Sequence, residues 1–196
     1  MLKRLLTTLP IAAAALVLAP STFAAGGHYG FQGGTSYERE QVVRALDASA
    51  FPWGVVPGKV TIHIAPGPSY ATPGDIWLDS GLLDQGTMSW GIVQHEYAHQ
   101  IDFLLLMPGQ RSKLQHLLGG TRWLGGNEIG LSGNSAAHGS LSGERFASEV
   151  AWAYWPSPEN VLRPTSSFSE AGHVPVAEFR HVLGSLLSRL LASHRH

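Results

Sequence analysis

The stretch MSWGIVQHEYAHQIDFLLLM, residues 88–107, decides how this chain is read. Apolar residues at Ile92, Val93, Tyr97, Ile101, Leu104 and Leu105 recur at helical spacing, and Pro108 and Gly109 stop the pattern. Inside this long helix His95 and His99 stand four residues apart on one face, so both imidazoles can reach a single ion from the same side. Glu96 lies about 100° further round the helix, where its carboxylate can reach a water at that ion without being a ligand. This is the spacing His-Glu-x-x-His, two zinc ligands and a general base. The plain alternative is a surface helix with two solvated histidines. Random placement gives roughly two such matches per hundred chains of this composition. The apolar residues around the motif argue for a buried central helix, and histidines and a glutamate are rarely buried without a use.

Cysteine is absent from the 196 residues, which removes thiolate metal sites and cysteine nucleophiles together. Any metal must then be held by histidine and carboxylate. A catalytic zinc takes three protein ligands and keeps one open position. The candidates for the third ligand are Glu144 and Glu149 in a later helix, Asp102 three residues past His99, and His138 in a long loop. Glu144 and Glu149 are about 140° apart on their helix, so both are not expected to face the ion. Spacing alone leaves the choice open. Asp102 as a fourth ligand would close the coordination sphere. Otherwise it supports a ligand histidine or pairs with a basic residue.

Outward from the motif, residues 37–50 read as an amphipathic helix, Lys59 to Ala65 as an alternating strand, and Ile76 to Asp79 as a second short strand. Pro66 to Pro68 and Thr72 to Asp75 read as turns. A shorter helix over 110–118 is followed by a Gly-, Ser- and Asn-rich loop over 123–143. Further helices are expected over 143–155 and 176–192. His63 lies on the polar face of the first strand, either lining a cleft or simply exposed, and Trp152, Tyr154 and Trp155 read as packing residues. The order gives one α+β domain over 37–196: an active-site helix, a second ligand-bearing helix and a short sheet. Residues 25–36 are Gly-rich and expected to be a flexible lead-in.

Lys3 and Arg4, the apolar run over 5–19 and the small residues Thr22 and Ala24 have the layout of a secretory signal peptide over 1–24, cleaved after Ala24. A secreted protein is expected, with an uncleaved anchor as the alternative. The formal net charge of −1 offers no general attraction for nucleic acid or an anionic membrane.

HEYAHQID (95–102) together with GERFASEVAWAYWPSPEN (143–160) resembles the gluzincin-type zinc metallopeptidases, the Mtf-type bacterial peptidases and the anthrax lethal factor catalytic domain in particular. The likeness runs from about 90 to 160 and is carried by short motifs. It implies a small zincin-like domain and a Zn2+ ion. The Glu-x-Phe-Ala pattern matches Glu144 to Ala147, so the resemblance implies Glu144 as third ligand, with His95 and His99. The implied reaction is peptide-bond hydrolysis with Glu96 as general base and a peptide or protein as substrate. One departure stands out: these relatives carry a tyrosine seven residues before the ligand glutamate, as oxyanion donor, where this chain has Ala137. Its neighbour His138 is the candidate to fill that catalytic place. A solvated loop histidine is the alternative. Two other functions use the same residues: a non-catalytic secreted zinc protein, and a zinc-dependent cell-wall amide hydrolase.

Overall fold

The computed structural model describes residues 27–123, 139–166 and 174–193, with side chains as far as residue 188. The expected signal segment 1–24 and His138 lie outside the described residues.

A four-stranded sheet is built from β1 (Tyr29–Gly33), β2 (Val60–Ala65), β3 (Tyr70–Thr72) and β4 (Asp75–Asp79), in the spatial order β1-β2-β4-β3. β1, β2 and β4 run parallel, and β3 is antiparallel to β4. Alternation sets the faces: Val60, Ile62, Ile64, Ile76 and Leu78 are buried, while Thr61, His63 and Trp77 are half-buried on the other side. β3 and β4 form a hairpin closed by Pro73 and Gly74, the latter at φ +88°, a conformation that favours glycine.

β1 corrects the expected flexible lead-in. Two glycines in YGFQG hide the strand, which forms because β2 offers a pairing edge and because Tyr29 packs on the helical core, 6.2 Å from the Tyr97 ring. β3 was also illegible, being three residues between turns. The edge strand on this side of the sheet is therefore β3.

The helices are α1 (Ser36–Ala48), α2 (Ser80–Leu83), α3 (Trp90–Leu105), α4 (Pro108–Leu118), α5 (Ser142–Tyr154) and α6 (Val176–Ser193). The protein is one small α+β domain, with α3 at its centre in contact with α1, β3, β4 and α5. Every residue from Val93 to Asp102 is buried. The polar side chains of that run therefore need partners inside the protein. Gln94 donates to Ala45 O on α1 at 2.7 Å. Gln100 accepts from Gly74 N and donates to Thr72 O, both at 2.8 Å, gripping the hairpin. Asp102 accepts from Arg111 Nε at 2.6 Å and from Trp123 Nε1 at 2.9 Å, which ties α4 and the strand-like segment beyond it to α3. Arg122 and Leu141 form a bridge just before α5 begins.

Candidate metal centre

α3 and α5 lie side by side, and the first turn of α5 faces the middle of α3. On that line Glu144 and Ser148, one turn apart, both meet His95. Glu144 Oε2 is 3.2 Å from His95 Nε2 and 3.4 Å from His99 Nε2, and the two Nε2 atoms are 3.2 Å apart. Donors about 2.0–2.2 Å from a tetrahedral zinc stand about 3.3–3.5 Å from one another. The triangle of two nitrogens and one carboxylate oxygen therefore has the size a zinc ion requires, and its donor types suit that metal.

Glu96 belongs to the same cluster: one carboxylate oxygen and one ring nitrogen from each histidine all lie within 4.8 Å of each other. Glu144, at hydrogen-bond distance from both rings, rather than Glu96, closes the tight triangle. His95, Glu96, His99 and Glu144 are each no more than 6% exposed. Burial disfavours charge on both partners, but the attraction between them prevails. The Glu144 carboxyl is held far below its ordinary range by His99 and His95, and His99 is pushed up to about 9 by Glu144. The Glu144 carboxylate and the His99 ring thus each favour the charged form of the other.

Ser148 Oγ lies 3.1 Å from His95 Nδ1, so a proton on Nδ1 leaves Nε2 bare and aimed at the triangle. His99 is held differently. Its Nδ1 has no partner among the described residues, and its ring stacks on Phe103 at 5.7 Å. Sequence reasoning missed Ser148 because a serine carries no metal-binding signal until the facing helix is known.

The other candidates lie apart from the triangle. Glu149 is 1% exposed, one Oε atom has no partner among the described residues, and burial pushes its carboxyl up to about 8. Asp102 is occupied by Arg111 and Trp123, fulfilling the basic-residue alternative. His63 pairs with Asp75 at 2.7 Å and stacks on Trp77 at 4.7 Å, which stacks in turn on Tyr70, all on the outer sheet face. Tyr154 packs edge-on against Phe51, and Trp155 against Trp90, as packing residues do.

Beside His95 and Glu96 opens a cleft of about 410 Å³. Its lining includes the loop over 67–69 that leads into β3, together with Val161 and Leu162. Leu82, Met88 and Ile92 make much of the rest of that lining apolar. Ile92 stands one turn before His95 and Glu96, which brings this apolar surface to the same face of α3.

Compared with family models, curated proteins and solved structures, the chain matches none of them.

Proposed function

We propose that this protein is an exported zinc metallopeptidase of gluzincin type. The observation that carries the reading is the buried triangle of His95 Nε2, His99 Nε2 and Glu144 Oε2, with Glu96 beside it at the head of an open cleft. A structural zinc site would be closed, whereas three ligands next to a cleft leave room for a reactant.

Zinc, when bound, supplies a Lewis acid that polarises a carbonyl and acidifies water. The chain's own residues do the rest. His95, His99 and Glu144 hold the ion between two helices, and Ser148 keeps the His95 ring oriented. Glu96 takes the proton of the attacking water and returns it to the leaving amine. The aliphatic cleft seats a substrate side chain and excludes water around the reacting bond. The loop over 67–69 and the edge strand β3 offer backbone for an extended peptide to pair with.

Export follows from the signal-like residues 1–24, and no helix among the described residues is long and apolar enough to cross a membrane. Ala137, in place of a tyrosine donor, favours a second reading in which zinc is bound and nothing is cleaved. Digestion of casein with and without chelator separates the two.

The test of the mechanism is Glu96→Gln. Zinc content should match the wild type, while peptide hydrolysis should fall by about 10²–10⁴-fold. Turnover surviving in that variant would sink the mechanism.

A further inference from the structure

Beyond His95 and Glu96 of the metal centre, the charged side chain among the described residues lining the cleft is Asp79. Asp79, the last residue of β4, lines it together with Glu96, and among the described residues no lysine or arginine does. The Asp79 carboxylate is fixed by backbone donors. Its Oδ1 accepts from Gly81 N at 3.0 Å, capping α2, and from Gly67 N at 3.4 Å. Its own N–H donates to Ser69 Oγ at 3.1 Å, so the residue is held by the loop over 67–69 and by the start of α2. Its Oδ2 has no hydrogen bond or ion pair among the described residues. Backbone amides orient the carboxylate without cancelling its charge. The neighbouring wall is aliphatic and poorly polarisable, which lengthens the reach of that charge across the cleft.

Resting on the peptidase reading, we infer that Asp79 determines specificity, selecting substrates that bring a cationic nitrogen into the cleft next to an aliphatic side chain. The nitrogen belongs to a lysine or arginine side chain or to a free peptide amino terminus. A glutamate side chain brought against Asp79 is disfavoured, because it meets a like charge there.

The experiment uses blocked peptides with one aliphatic core that differ at a single flanking position: lysine, norleucine or glutamate. A fourth peptide carries norleucine with a free amino terminus. Binding is measured on the zinc-loaded Glu96→Gln protein, and kcat/KM on the wild type. Lysine should be preferred to norleucine by about tenfold in both assays, shrinking in 1 M salt, where the screening length is about 3 Å. Preference for the free-terminus peptide assigns the nitrogen to the terminus, and preference for blocked lysine assigns it to the side chain. In Asp79→Asn the amide can still cap α2, and the preference ratio should fall toward one, with circular dichroism confirming the fold. Equal binding of lysine and norleucine peptides, or a preference that survives in Asp79→Asn, overturns the inference and leaves the peptidase reading standing. Peptides that bind with the expected preference but are never cleaved remove the peptidase reading instead.

Discussion

Glu149 lies five residues beyond Glu144 on the same helix, yet the two carboxyls live in opposite electrostatic worlds. Glu144 faces two imidazoles and is held ionised. Glu149 is equally buried, has an unpartnered oxygen, and is pushed up to about 8 by desolvation. Its ordinary value is 4.5, so below that pH both the folded and the unfolded chain keep the proton and no penalty arises. Between 4.5 and about 8 only the unfolded chain ionises, and stability falls as pH rises; above about 8 the full penalty is present. Glu149→Gln should therefore gain stability on the order of 2–4 kcal/mol at alkaline pH and much less near pH 4.5. Melting temperatures of variant and wild type at pH 5 and 8.5 decide it. An unchanging gap between them would refute the account. Nothing in the sequence separates these two glutamates except a resemblance, because helical angle says that they diverge but not which one meets α3.

At the scale of elements, the contact between the start of α3 and the turn after α5 shapes the cleft. Gly91 lies so close to Asn160 that a Cβ added there would stand 2.4 Å from Asn160 Oδ1. Asn160 is fully buried, donates to Ala151 O at 3.1 Å and Trp155 O at 3.0 Å, and accepts from Leu162 N at 2.9 Å. Those bonds hold Val161 and Leu162 in the cleft wall. In an open helix Gly91→Ala would gain up to about 1 kcal/mol from propensity. Here the displaced asparagine loses buried hydrogen bonds, and the net effect should be a loss of about 1–3 kcal/mol. Denaturant midpoints give the answer, and a higher midpoint in the variant would show that the turn yields without cost. The helices α1, α3, α5 and α6 were legible because their apolar periodicity is local. β1 and β3 were not, since a five-residue strand with two glycines and a three-residue strand become strands only through their neighbours.

For the whole molecule, the triangle joins α3 to α5, the two helices that make the centre of the fold. An ion bound there in the native state alone adds stability, about 4 kcal/mol when free zinc is a thousand times its dissociation constant. Removal by a chelator should lower the melting temperature by about 10 °C, and zinc should restore it. A melting curve indifferent to both treatments would count against a resident metal. By itself the sequence determined the pairing of His95 with His99, the position of Glu96 beside them, the Pro73-Gly74 turn and the α+β class, because each follows from spacing within one element. Only the tertiary structure decided that Glu144 rather than Glu149 meets the histidines, that Ser148 steadies His95, that β3 is the edge, and that Asp79 and Leu162 share a cleft with Glu96. These depend on which faces of distant segments dock against each other, and no local pattern of residues records that choice.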